Sequence, residues 1–145
     1  MSLSTFGAIL GFAAEMVQAS RDTYEVLVEK AKTSSIREAL QSLLAEARKN
    51  LSLMEQTRRE NVTEMILEPV AGLERKDYEI EVEAFGGSED RHLLEVALSL
   101  EERERRFFWE ASEKVPIPEV SRLFKKIAKT KEASIEAPRG MTCPV

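Results

Sequence analysis

The sequence predicts an all-α fold, a four-helix bundle of two helical hairpins joined by a long crossover. Three observations predict it. Apolar residues recur at helical spacing in four segments. The connections are short within each pair of segments and long between the pairs, so each pair reads as an antiparallel hairpin. The two pairs also match each other without a gap at a constant offset of 84 positions.

In the first segment Phe6, Leu10, Ala13, Val17, Tyr24, Leu27, Val28 and Ala31 make one apolar stripe over roughly 27 residues. Ser35-x-x-Glu38 then reads as a capping box that starts the second helix. The second stripe is Ile36, Leu40, Leu43, Leu44, Ala47, Leu51, Met54, Val62 and Met65. Pro69 stops it, because the residue before a proline is biased away from helix. That gives a helix of about 32 residues, roughly 48 Å long at 1.5 Å per residue.

Residues 69–87 form the crossover. They include Tyr78-Glu79-Ile80-Glu81-Val82-Glu83, whose alternation predicts extended chain. Extended, such a segment reaches roughly 60 Å, enough to run the length of the bundle. Ser88-Glu89-Asp90 opens the third helix with a cap and acidic charge at the positive end of the helix dipole. Its stripe is Leu94, Ala97, Leu98, Phe108 and Ala111, punctuated by Pro116 and Pro118. The fourth helix starts at Pro118-Glu119, which suits a first turn. It carries Val120, Leu123, Phe124, Ile127 and Ala128, and Pro138 bounds it. The expected organisation is one bundle domain over residues 1–137 and a flexible tail over 138–145.

The repeat pairs Leu10 with Leu94, Ala13 with Ala97, Tyr24 with Phe108, Ile36 with Val120, Leu40 with Phe124 and Leu43 with Ile127. Single matches between amphipathic helices are common, whereas a gapless run through two helices and their loop points to duplication of a hairpin.

Composition narrows the chemistry. The chain has 145 residues, about one domain, with 43% hydrophobic and 32% charged residues. A net charge of −5 speaks against a dedicated binder of nucleic acid or anionic membrane. One cysteine, Cys143, excludes an intramolecular disulfide, and one histidine, His92, excludes a histidine-rich metal site. Residues 3–17 are apolar but lack a basic leader and contain Glu15, so they read as an amphipathic first helix and not as a signal peptide or membrane span. The expectation is a cytoplasmic protein.

Two duplicated hairpins with a long crossover resemble the ferritin-like superfamily, and within it the rubrerythrin-like proteins. The closest local likeness runs from Ala97-Leu98-Ser99-Leu100-Glu101 through Arg106-Phe107-Phe108 to Glu113-Lys114-Val115. It continues with Pro118-Glu119-Val120 and Leu123-Phe124-Lys125-Lys126-Ile127-Ala128. The family holds two irons with one Glu on each of two helices and a Glu-x-x-His on each of the other two. Aligned on that pattern, the six ligand positions fall at Val17, Ala47, Asn50, Glu101, Lys131 and Ser134. Only Glu101 is a ligand type, so the resemblance implies the fold with a degenerate di-iron site. A register one turn away offers Glu15 and Glu46 beside Glu101.

Glu101 and Lys131 both lie on apolar faces. One expectation is that the Lys131 ammonium replaces the metal charge and pairs with Glu101, with Asn50 and Ser134 completing the hydrogen bonds. The other is that Lys131 reaches solvent and Glu101 pairs with Arg105 along its own helix. Glu102–Arg106 and Glu110–Lys114 have the same helical spacing and predict an exposed charged face. Arg122, Lys125, Lys126 and Lys129 predict a solvated basic face. Of Phe107, Phe108 and Trp109, one must leave the core, making Trp109 or Phe107 a candidate dimer contact. His92, near a helix start, reads as a surface or capping residue. Met16, Met54 and Met65 read as core filling.

The leading functional expectation is a structural or protein-interaction module without a cofactor. It is expected to form a homodimer, with a possible protein partner at the helix-three aromatics or at the tail with Cys143. One alternative is a di-iron carboxylate oxidoreductase or peroxidase using Glu15, Glu46 and Glu101, with iron as cofactor. Another is a small-ligand binder in the bundle centre.

Overall fold

The computed structural model describes Leu3, residues 5–61, 72–79 and 90–142, with side chains in the last stretch described to Ile135. Four long helices account for most of these residues: α1 Phe6–Lys30, α2 Ser34–Glu60, α3 Asp90–Ser112 and α4 Pro118–Thr142. A 3-10 turn spans Arg75–Tyr78. The starts of α2 and α4, Ser34 and Pro118, keep the repeat offset of 84 residues.

Local chemistry sets the ends. Thr5 caps α1, its hydroxyl accepting from the Ala8 N–H at 3.0 Å. The capping box expected at Ser35 does not form. The cap position is Thr33, and its side chain makes no capping bond. The Asp90 carboxylate accepts instead from the N–H groups of Lys32 and Thr33, at 3.0 and 2.6 Å. A carboxylate from a neighbouring helix thus does the work assigned to a local side chain. These bonds, that from Lys32 first, hold Asp90 below the ordinary carboxylate range.

Helix α2 ends at Glu60 and does not run on to Pro69. Asn61 terminates it: both its backbone N–H and its side-chain amide donate to the Thr57 carbonyl, satisfying one of the free carbonyls at the helix end. At the other boundary, α4 passes through Pro138 to Thr142. The missing N–H removes one backbone bond, and here the helix accommodates that loss. The extended reading over Tyr78–Glu83 fails at its first residue, since Tyr78 belongs to the 3-10 turn. Val62, Met65, Ile80–Glu83, Ser88, Glu89 and Cys143 lie outside the described residues.

Packing places α1 against α2 and α3, and α4 against α3 and α2. The core divides into two apolar clusters. One gathers Phe6, Leu10, Val17, Leu51, Met54, Phe107, Phe108, Val120, Phe124 and Ile127, among others. The other gathers Tyr24, Leu27, Leu40, Leu43, Ala47, Leu94, Ala97 and Leu100. The first joins the starts of α1 and α4 to the ends of α2 and α3. The second joins the end of α1 and the start of α2 to the start of α3. With Asp90 bonded at the start of α2, α2 and α3 run in the same direction.

Leu3 donates its N–H to the Leu73 carbonyl at 3.0 Å, and both side chains close the first cluster. Phe107, expected as a possible dimer contact, is fully buried instead. Its ring lies 5.3 Å from Phe12, 5.1 Å from Tyr78 and 5.4 Å from Phe108, centroid to centroid. Tyr78 supplies the wall that the four-helix stripe alone did not provide. Trp109 is the member of the aromatic run that points outward, 42% exposed.

Phe107→Ala is expected to cost about 3–5 kcal/mol through the cavity it leaves. Trp109→Ala is expected to change stability by less than about 0.5 kcal/mol, as an exposed substitution. Urea unfolding of the two variants at one pH checks both.

Candidate functional site

A polar layer separates the two apolar clusters. On α1 it falls at Ser20, on α2 at Glu46 and Asn50, on α3 at Glu101 and Glu104, and on α4 at Lys131 and Ser134. Ser20, Asn50, Glu101, Glu104 and Lys131 are all buried, with Glu101 0% and Lys131 1% exposed.

Lys131 is the hub. Its Nζ donates to Glu101 Oε2 at 2.7 Å, and stands 3.3 Å from Glu104 Oε1 and 3.8 Å from Glu46 Oε1. Ser134 Oγ donates to Glu46 Oε2 at 2.8 Å. Ser20 Oγ donates to Glu104 Oε2 through a short bond. Arg103 Nη2 donates to Ser20 Oγ at 2.8 Å and lies 3.6 Å from Glu104 Oε2. The layer therefore links all four helices. Ser20 and Glu104 are repeat equivalents, so the bond between them marks the seam where the two hairpins meet.

The inter-helix pairing of Glu101 with Lys131 is what the structure contains. Arg105 turns to Glu102 and toward Glu132, not to Glu101. Asn50 shares the layer, but its side-chain N–H group has no hydrogen-bond partner. Val17 and Ala47 are buried in the apolar clusters on either side. Glu15 does not join the centre: it is 63% exposed at its side chain and pairs with Arg75 at 2.9 Å. A position two before Val17 faces away from the buried stripe. The expected Glu110–Lys114 pair also gives way, since Glu110 accepts from the Tyr78 hydroxyl. Arg122, Lys125, Lys126 and Lys129 are exposed, as a solvated face requires.

Glu104, Ser20, Tyr24 and Arg103 complete the site and were not singled out from sequence. The signal for Glu104 was present: it lies four residues before Phe108 and seven before Ala111, on the α3 stripe. Ser20 is its partner at the repeat offset.

Burial pushes the Glu101 carboxyl up to about 7, with the Lys131 ammonium opposing and the Glu104 charge adding to the rise. Burial lowers the Lys131 ammonium, but Glu104, Glu101 and Glu46 more than reverse this, so its net direction is upward. The Tyr24 phenol is pushed well above its ordinary value, by burial first and then by Glu101 and Glu104. The layer thus favours a protonated lysine and a protonated phenol, with Glu101 taking up a proton near neutrality.

These residues do not fit a pair of irons. The six positions supply one carboxylate, one ammonium, an amide, a hydroxyl and two apolar side chains. Among the described residues, no group of three or more His, Cys, Asp or Glu side chains is arranged to hold a metal ion. A surface depression of about 310 Å³ lies elsewhere, lined by Tyr78, Glu110, Glu113 and Lys114 among others. No helix among the described residues is long and apolar enough to cross a membrane. No protein-family model, curated protein or solved structure matches the chain.

Lys131→Met is expected to cost about 3–5 kcal/mol, because it leaves buried carboxylates without their cation. Exposed Lys129→Met is expected to change stability by less than about 0.5 kcal/mol. Paired chemical unfolding curves check the difference.

Glu101 also sets a pH dependence. Its carboxyl rises from 4.5 unfolded to about 7 folded. The folded chain therefore binds the extra proton between these values, and stability falls as pH rises through that window. The slope reaches at most about 1.4 kcal/mol per pH unit for one group. Glu101→Gln, neutral throughout, is expected to flatten this part of the curve, read by urea unfolding at stepped pH.

Proposed function

We propose that the chain is a ferritin-like, rubrerythrin-like bundle without a di-iron centre, acting as a structural or protein-interaction module and not as an oxidoreductase. The Lys131 ammonium, 2.7 Å from Glu101 at the middle of the bundle, carries this reading. An ammonium at that point repels a metal cation and already satisfies the carboxylate nearest to it. The parallel course of α2 and α3 supports the crossover topology. A connection between parallel neighbouring helices spans a helix length, and α2 has 27 residues, about 40 Å.

The outward position of Glu15 weighs against the shifted ligand set, which loses one of its three carboxylates. The side chains that fill the bundle centre weigh against a small-molecule site there. For the interaction role we propose self-association. Trp109 and Val26, 42% and 47% exposed, are the large apolar side chains that the described surface leaves open.

The test is elemental analysis of protein produced with added iron, followed by peroxide turnover and light scattering. The reading expects iron far below one per chain, no peroxide turnover, and a particle of two chains. One or two irons per chain, or turnover that scales with iron, sinks it. A monomer at all concentrations removes the self-association.

A further inference from the structure

We propose that the outer face of the α3–α4 hairpin docks on the outer face of the α1–α2 hairpin of a second copy, a basic surface against an acidic one. The proposal rests on the self-association reading and deepens it, since it names both faces and makes the contact head-to-tail.

The basic face is built on one seam. Ser121 Oγ donates to the Ser112 carbonyl at 2.6 Å, the rings of Phe108 and Phe124 are 5.1 Å apart, and Arg105 Nη1 lies 4.0 Å from Glu132 Oε1. These contacts fix the level of α3 against α4. Trp109 lies four residues after Arg105, and Lys125 and Lys129 lie seven and three before Glu132. Helical spacing therefore puts the indole and the two ammonium groups along the same outer seam. Arg122 and Lys126 continue the stripe. All four cations are exposed, and none has an ion-pair partner among the described residues. Like charges at this spacing repel and weaken a helix, and an opposing acidic face relieves them.

A second observation comes from the equivalent face, 84 positions earlier. Arg122, Lys125, Lys126 and Lys129 correspond to Glu38, Gln41, Ser42 and Ala45, one acid and three uncharged residues. Arg106, Trp109 and Glu113 correspond to Asp22, Glu25 and Glu29. Asp22 and Glu25 share the single guanidinium of Arg21. Glu29 and Glu38 are exposed and have no ion-pair partner among the described residues. The same surface is thus basic on one hairpin and acidic on the other. Gln41, Ser42 and Ala45, all exposed, give Trp109 an uncharged patch beside the acids.

Position sets the mode of contact. Ser20 and Glu104, 84 residues apart, are bonded where the hairpins meet. Equivalent outer faces therefore stand on opposite sides of the bundle, and neither can reach its complement within one chain. The contact is heterologous, so each two-chain particle keeps one open face of each sign. Opposed charges select and steer the partner, while a buried aromatic anchor supplies most of the affinity.

The experiment uses the full chain and reads particle mass by light scattering over a concentration series. Wild type is expected to form two-chain particles first, to grow as concentration rises, and to dissociate as NaCl screens the charges. Trp109→Ala with Lys125→Gln and Lys129→Gln removes the basic face. Glu29→Gln with Glu38→Gln removes the acidic face. Each variant alone is expected to associate about tenfold more weakly or worse. Mixed, the two are expected to form two-chain particles that grow no further, because each supplies the face that the other lacks.

Circular dichroism checks the helices, and Trp109→Ala and Glu38→Gln as single changes take over if either set loses helix. A mixture that associates no better than its components overturns the proposal, as does either variant associating like wild type. A two-chain wild-type particle unmoved by both variants overturns these faces and leaves the self-association standing. A wild-type monomer at all concentrations removes the self-association, and this contact with it.

Discussion

The ion-paired layer around Lys131 is the constraint on which the rest of the structure depends. A buried ammonium is stable only if anions and hydrogen-bond acceptors surround it, and no single helix can supply them. Glu101 and Glu104 come from α3, Glu46 from α2, and Ser20 from α1 holds Glu104 in place. The four helices must therefore share one register at this level. Apolar packing tolerates sliding by a turn, because one leucine resembles the next. Sliding here would bury charges without partners.

The layer lies where positions 84 residues apart come together. Repeat-equivalent positions meet near the seam between hairpins, and Ser20 meets Glu104 there directly. The side chains at equivalent positions along the seam differ. Val17 and Ala47 are apolar where Glu101 and Lys131 carry charge. The second hairpin thus holds the strongest ion pair, and the first contributes hydroxyl, amide and a peripheral carboxylate.

Much of the helical frame was legible in the sequence, because the apolar stripes are long and periodic. Their residues in the described segments are buried or packed against the core. The failures came at the helix ends. Asp90 took over the capping that Ser35 and Glu38 seemed to offer. Asn61 ended a helix before the proline did, and Pro138 did not end the next. In the site, the pairing of Glu101 with Lys131 followed from two charges on two apolar stripes. Glu104 stood on the same stripe, but helical spacing alone could also have placed it in a surface charge pattern. Tyr24 read as core because a phenol's ring dominates its sequence signal over its hydroxyl.

The division of the apolar interior into two clusters has a consequence for how the molecule comes apart. Each cluster draws on three or four helices, and a sheet of charge lies between them. The apolar interior is therefore divided into two halves along the bundle axis, and not into the two hairpins that the chain order suggests. Fraying that begins at the Leu27–Leu94 end has to pass the Lys131 layer before it reaches the aromatic cluster around Phe107. The buried salt bridge stands there as a bulkhead between the two apolar compartments.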